Sequence, residues 1–402
     1  MIDLRRWVGR SAAVVLGAAI GAATILFIGD MGGSAVRRSQ VPSRPETVPA
    51  QEPARRPRSA AVLLAWTPGS LPPSSEELVE RLPGVVEATT IQAGLDWIVQ
   101  TRDRTGSVVD LSGGSFLFPF DVAVVDPTEY AEFVAPGERS MIASLRPGQA
   151  LLSRTAARLR DGGEGMRIDL EDRHLRVAGV ISDQAAQGYE ALVSRPVPPS
   201  WERADRFLLI RVDDMTARDA VDRRLRRLLG ASEPLRVRAF GETPFLRYGD
   251  AVLPLTMIKE AFGEFSARPS PGGAIEIDPT WRRENIVTST VPLIGRVTCH
   301  RLLFPQLRSA LDAVRAAGVG DEIDAGQFAG CFNARFIGRD PDGRLSHHSW
   351  GIALDVNALE NPTGARPRLS SDIVEILERY GFTWGGRWLV PDGMHFEWVR
   401  FP

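Results

Sequence analysis

The chain has 402 residues, which at roughly 100–200 residues per domain allows two or three domains. Hydrophobic residues make up 44% and charged residues 24%, a mix that excludes wholesale disorder and a polytopic membrane protein. With 48 basic against 50 acidic residues the net charge is -2, so no global field draws the chain to nucleic acid and no such partner is expected.

At the amino terminus Arg5, Arg6 and Arg10 precede an uncharged run from Ser11 to Ile28. That run reaches the length of about 18 residues needed to cross a bilayer. Residues 1–31 therefore read as a cytoplasmic tip and transmembrane signal anchor, since arginines before a span favour export of the chain beyond it. The competing reading is a cleaved signal peptide, whose apolar region runs about 7–15 residues before a small-residue site such as Gly33-Ser34-Ala35. Arg37 and Arg38, beyond the span, weaken the charge bias. Residues 32–59 carry Pro42, Pro45, Pro49, Pro53 and Pro57 among polar neighbours and read as an extended tether. At about 3.1 Å per residue in polyproline geometry, such a tether suits a target in the cell wall. The expected location is the cell membrane, single-pass, with the carboxy-terminal part extracytoplasmic.

Strand-like and helix-like segments alternate over residues 60–244, which predicts an α+β domain. Strands are expected at Ala61–Trp66, Val85–Ile91, Asp121–Val125, Leu175–Ile181 and Phe207–Val212, and helices at Ser75–Leu82, Ser153–Leu159 and Ala217–Leu229, the last capped by Thr216. Gly113-Gly114 and Gly162-Gly163 read as turns, and lone His174 as a surface or satisfied histidine. The stretch ALLSRTAARLRDGGEGMRIDLEDRHLRVAGVISD, Ala150 to Asp183, resembles the extracytoplasmic domain of permeases in the macrolide-exporter and cell-division ABC families. The resemblance covers about one helix, one turn and two strands, and implies an interaction role with a membrane-protein partner. An unrelated α+β spacer is the alternative.

Four of the five histidines and both cysteines lie beyond residue 298. Within LSHHSWGIALDVN, the residues Ser346, His348, Gly351, Ala353 and Asp355 fit S-x-H-x-x-G-x-A-x-D, and WGGRWLVPDGMHFEW later supplies Asp392, His395 and Glu397. Alternation along a strand puts Ile352, Leu354 and Val356 on one apolar face and Asp355 on the other; His395 and Glu397 likewise share a face. Pairing the two strands would set Asp355 beside His395, with His348 arriving from the preceding loop. Two imidazoles and one carboxylate leave a fourth position open, as in a catalytic zinc site. Asp392, on the turn Pro391-Asp392-Gly393, is placed to act as general base, and Glu397 to orient a histidine. Taken singly, His347 and His348 have a reading as solvated residues, Asp355 as a strand-end cap and Asp392 as a turn residue; jointly they point to a metal site.

These motifs, in this order and spacing, resemble the zinc peptidases of the D-alanyl-D-alanine carboxypeptidase and L-alanyl-D-glutamate endopeptidase family over residues 245–402. The resemblance implies a small antiparallel-sheet domain with flanking helices, a Zn2+ cofactor on His348, Asp355 and His395, and peptidoglycan peptides as substrate. It implies Asp392 as base, Arg335 of GCFNARFIG as the oxyanion partner, and Ser346 as a substrate-site residue. Aspartate rather than glutamate at 392 is shared with the endolysin-like branch and tilts the reading toward an internal peptide bond.

Helices are expected at Gln306–Ala317, before Gly318, and at Asp372–Tyr380, before Gly381, the second with Asp372 and Glu375 as a capping box. Trp350, Trp384 and Trp388 flank the motifs, to pack the core or to wall a cleft. Cys299 and Cys331 are expected to form a disulfide in an oxidising compartment, with thiolate metal ligation as the runner-up. The functional expectation is a membrane-anchored zinc peptidase of the wall. Its rival is a wall-binding scaffold or sensor whose peptidase-like unit is degenerate.

Overall fold

The computed structural model describes residues 61–196, 204–213, 218–230, 233–251 and 253–402. The expected anchor and tether, and the Thr216 cap, lie outside these residues. Among the described residues no helix is long and apolar enough to cross a membrane.

The first part of the described chain runs β1 (Ala61–Trp66), α1 (Ser75–Glu80), β2 (Val85–Arg102), β3 (Val108–Leu111), β4 (Phe118–Val125), α2 (Pro127–Ala131), α3 (Pro136–Ala143), β5 (Gln149–Ser153), α4 (Arg154–Leu159), β6 (Arg167–Leu170), β7 (His174–Ile181), β8 (Ala191–Ser194), β9 (Asp205–Val212), α5 (Arg218–Leu229) and β10 (Arg236–Ala239). The expected strand Val85–Ile91 extends to Arg102, because Ala93, Leu95 and Trp97 continue a period-two alternation that three partners cover in turn. β9 pairs with the first half of β2, β4 with Gln92–Ile98, and β6 with Ile98–Arg102. The resulting ten-stranded sheet runs β10-β1-β9-β2-β4-β8-β5-β7-β6, with β3 paired to β2 off this path, and the β2–β6 pairing closes six of these strands on themselves.

Both faces of the sheet are buried, as the sequence of β4 illustrates. Val122 and Val124 join a core with Leu152, Ile168 and Val177, whereas Ala123 and Val125 join a second core with Trp66, Tyr130, Leu151 and Phe207. A third core lies where α1 and α5 cover Leu63, Ala65, Leu208 and Ile210.

The chain continues through α6 (Leu255–Phe262), β11 (Ala267–Ser270), β12 (Ala274–Ile277), α7 (Pro279–Asn285), β13 (Ile286–Val291), β14 (Gly295–His300), α8 (Phe304–Ala316), β15 (Ala353–Asp355), α9 (Ser371–Arg379), β16 (Phe382–Trp384) and β17 (His395–Trp398). β15, β17 and β16 form an antiparallel three-stranded sheet in the order β15-β17-β16. α8 and α9 bury Leu307, Leu311, Val314, Ile373, Ile376 and Leu377 against it, which is the face their helical spacing predicts. The capping-box expectation fails: α9 begins after Ser370 and its cap makes no side-chain hydrogen bond. Asp372 instead falls in the first turn, where its charge complements the helix dipole without capping.

The two regions meet through buried charge. Lys259 of α6, the only lysine in the sequence, bonds Glu190 Oε1 at 2.7 Å and Glu264 Oε1 at 2.6 Å, and Arg160 reaches the same two carboxylates. Arg160, Glu190 and Lys259 are fully buried. Nearby, Arg247 pairs with Asp121 of β4 at 2.6 Å, and Leu246 and Tyr248 pack into the sheet's own core. Buried ions on both sides demand this register, because separating the regions would leave each charge unpaired in a low-dielectric interior.

Candidate metal centre

His348 sits on a single 3-10 turn, His347–Trp350, whose cap is Ser346; the Ser346 hydroxyl oxygen accepts from the His348 amide at 3.4 Å. The turn ends at Gly351, with φ +66°, where a Cβ would lie 2.7 Å from the His300 nitrogen. Only glycine serves both the left-handed backbone and that close approach. The chain then enters β15, and antiparallel pairing with β17 sets Asp355 opposite His395 and Ala353 opposite Glu397. The expected pairing is thus the observed one, and Ile352, Leu354 and Val356 face the core.

One ligand atom from each of His348, Asp355 and His395 lies within 4.8 Å of the others, a grouping able to hold a metal ion. His348 Nδ1 lies 2.8 Å from the carbonyl oxygen of Cys331, an acceptor only, so this nitrogen carries the hydrogen. Its Nε2 faces Asp355 Oδ2 at 3.1 Å yet is buried without a hydrogen-bond partner. A buried imidazole nitrogen 3.1 Å from an anionic oxygen, without hydrogen-bond geometry between them, is where a shared cation would satisfy both, so the donor set fits a metal. His395 places Nδ1 3.0 Å from Asp355 Oδ1 and Nε2 3.4 Å from Glu397 Oε2. Burial would lower its pKa, but the two carboxylates outweigh burial and push it up to about 10. Burial likewise opposes ionisation of Asp355, and the two imidazoles beside it hold it well below the ordinary carboxylate range. Glu397 sits between His395 and His347, whose Nδ1 lies 2.7 Å from Glu397 Oε2. His347 is therefore a neighbour of the cluster rather than a solvated residue, and both histidines hold Glu397 in its charged form against burial.

Asp392 lies on the loop between β16 and β17, where its carbonyl accepts from the His395 amide at 3.1 Å. Burial raises its carboxyl above the ordinary range, with His395 and the Thr363 hydroxyl opposing; Thr363 Oγ1 donates to Oδ1 at 3.0 Å. Nothing in the local sequence around Thr363 singled it out, because it reaches Asp392 from a different loop. Half-buried Arg335 forms no carboxylate salt bridge within 4 Å among the described residues; burial lowers its pKa, and Asp355 and Asp392 are the anions acting on it. Its backbone is fixed by Ser349, whose hydroxyl accepts from the Arg335 amide and donates to its carbonyl.

The three tryptophans separate. Trp350 is fully buried against Phe265, and Trp384 stacks on Phe396, whereas half-buried Trp388 lies beside His395 with ring centroids 5.1 Å apart. Cys299 and Cys331 form the expected disulfide, which excludes thiolate ligation by either. His300 is a satisfied core residue: its ring contacts the Phe262 carbonyl and the Leu302 amide, and burial lowers its pKa to about 3.

No curated protein matches the chain. Solved structures similar to it include the periplasmic region of MacB from Actinobacillus actinomycetemcomitans, at 11% identity over 44% of this chain and 87% of that one, with a TM-score of 0.31. Another is the extracellular domain of the noncanonic ABC-type transporter YknZ from Gram-positive bacteria, at 10% identity over 44% of this chain and 99% of that one, also at 0.31. A family model described as D-alanyl-D-alanine carboxypeptidase matches residues 339–398, the stretch that holds His348, Asp355, Asp392 and His395. The model of the MacB-like periplasmic core domain matches residues 11–228, more than half of the sequence, and the chain belongs to that family.

Proposed function

We propose that this protein is a membrane-anchored, extracytoplasmic zinc peptidase that cleaves peptidoglycan stem peptides, carried on a MacB-like domain. The observation that carries the reading is the bare, buried Nε2 of His348 facing Asp355 beside His395, inside the stretch matched by the carboxypeptidase model. His348, Asp355 and His395 would hold the zinc. When bound, zinc polarises a scissile carbonyl and lowers the pKa of water toward about 7. Asp392 accepts the proton of the attacking water and passes it to the leaving amine; a carboxyl raised by burial is suited to that exchange. Arg335, with no salt-bridge partner within 4 Å among the described residues, offsets charge on the oxyanion of the tetrahedral intermediate. Ser346 shapes the turn that presents His348 at the substrate site, and Glu397 fixes the orientation of His395.

The test is zinc content of the purified protein together with mass spectrometry of digested muropeptides. Asp392→Ala is expected to lower turnover by about 10²- to 10⁴-fold with zinc retained. Normal turnover in that variant removes Asp392 from the role of base.

Membership in the MacB-like family favours a second reading, in which the sheet region docks on a membrane protein and the carboxy-terminal region binds wall peptides without cutting them. Tight peptide binding with no cleavage by the zinc-loaded protein would decide for it.

A further inference from the structure

The loop that carries Trp388 and Asp392 runs between glycines, Gly385 and Gly393, and its own hydrogen bonds close only its base. The Gly385 carbonyl accepts from the amides of Trp388 at 3.0 Å and Asp392 at 2.9 Å. Its middle is held from outside. The Leu389 amide donates to Asp250 Oδ2, and the other carboxylate oxygen of Asp250 lies 3.4 Å from Arg236 Nε on β10. Arg236 also donates through Nη2 to the Arg387 carbonyl at 3.1 Å, and the Leu389 side chain packs against the core that contains Trp66 and Tyr248. β10 in turn is paired residue by residue with β1, Arg236 opposite Trp66.

Asp250 itself is not free to move. The segment before it is fastened to the sheet by Arg247 on Asp121 and by buried Arg238, which donates to the carbonyls of Arg247 and Gly249. The same segment reaches the other half of the site. Arg344, four residues before His348, donates to the Tyr248 carbonyl at 3.2 Å and pairs with Asp205 of β9 at 3.4 Å.

We propose that Asp250 is a positioning residue for the candidate peptidase centre, clamping the Trp388–Asp392 loop to the MacB-like sheet, so that the sheet is part of the catalytic apparatus. The inference rests on the peptidase reading. The Asp250 tie fixes the middle of this loop, beside Trp388, while Thr363 and the Gly364 amide hold its end at Asp392 and the Pro391 carbonyl. Losing the tie therefore loosens the loop on the Trp388 side and shifts Asp392 and Trp388 relative to His395. Misplacement of about 1 Å is enough to cost about 100-fold in rate.

The experiment compares Asp250→Ala and Asp250→Asn in the full chain. It reads kcat and KM on a defined stem peptide, bound zinc, and amide hydrogen exchange of the peptides covering residues 385–394 and 345–350. Asp250→Ala is expected to lower kcat by about 10- to 100-fold with zinc retained. Exchange at 385–394 should rise about tenfold, the weight of one hydrogen bond, while 345–350 is unchanged. Asp250→Asn keeps a carbonyl oxygen for the Leu389 amide and is expected to restore most of the rate. Wild-type kcat in the alanine variant, unaltered exchange at 385–394, or equal loosening of both segments with loss of zinc would each overturn the proposal. A wild-type protein that cleaves nothing sinks the peptidase reading instead, and the exchange measurement then still decides whether Asp250 holds the loop.

Discussion

Replacing Lys259 by methionine removes one cation from a buried cluster while keeping close to the same volume, so the cost is electrostatic rather than a cavity. Lys259 donates to the Pro119 carbonyl at 2.5 Å, to Glu190 Oε1 at 2.7 Å and to Glu264 Oε1 at 2.6 Å. In the variant Glu264 keeps both bonds to Arg160, at 2.7 and 3.2 Å, and Glu190 keeps the Asp121 amide at 3.1 Å and Arg160 at 3.3 Å. Breaking a buried pair costs about 3–5 kcal/mol, and since Arg160 remains, the low end, about 3 kcal/mol, is expected. The unfolding midpoint should fall by about 5 °C or more. The pH dependence has a definite sign. Burial already raises the Glu190 carboxyl, against Lys259 and Arg160, and losing Lys259 raises it further. The folded state then binds more protons than the unfolded one, so the variant's stability falls as pH rises and its deficit shrinks on acidification. Thermal unfolding of both proteins between pH 5 and 8 measures this, and Glu190→Gln added to the variant should recover part of the loss. A midpoint within a degree of wild type, or a deficit that grows on acidification, refutes the account.

The remaining predictions concern the site and its brace. The Cys299–Cys331 disulfide closes a separation of 32 residues, and its removal by paired serine substitutions should cost about 3–4 kcal/mol. Because the Cys331 carbonyl orients His348, metal retention should fall as well; unfolding curves and metal content that are indifferent to the substitutions would contradict this. With its pKa pushed up to about 10, His395 is an imidazolium through the neutral range in the metal-free protein, and must lose the Nδ1 proton to become a ligand. Metal uptake at pH 7 should therefore release about one proton, and apparent affinity should rise about tenfold per pH unit. Calorimetry in buffers of differing ionisation enthalpy checks the count, and pH-independent binding would count against His395 as a ligand.

Much of the candidate centre was legible in the sequence because its chemistry is local. Period-two alternation assigned Asp355 and His395 to the strand faces opposite the apolar ones, and the glycine at 351 marked the turn that feeds the first strand. Helix faces in α8 and α9 followed from the same reasoning, since burying one stripe of an amphipathic helix needs no knowledge of the partner. The long reach of β2 was not legible, because a strand's length depends on which partners cover it, and β4, β6 and β9 arrive from 16 to over 100 residues away.

What the sequence determined by itself is the set of reactive groups and the local backbone that aims each one. Tertiary structure alone decided their surroundings. It brought Thr363 to Asp392, set His347 on Glu397, buried Lys259 between two glutamates, and put Asp250 under the loop that carries Trp388 and Asp392. The physical reason is range: hydrogen-bond direction and side-chain alternation are fixed within a few residues, whereas the partner of a buried charge is fixed by packing between distant elements, where leaving it unpaired costs most.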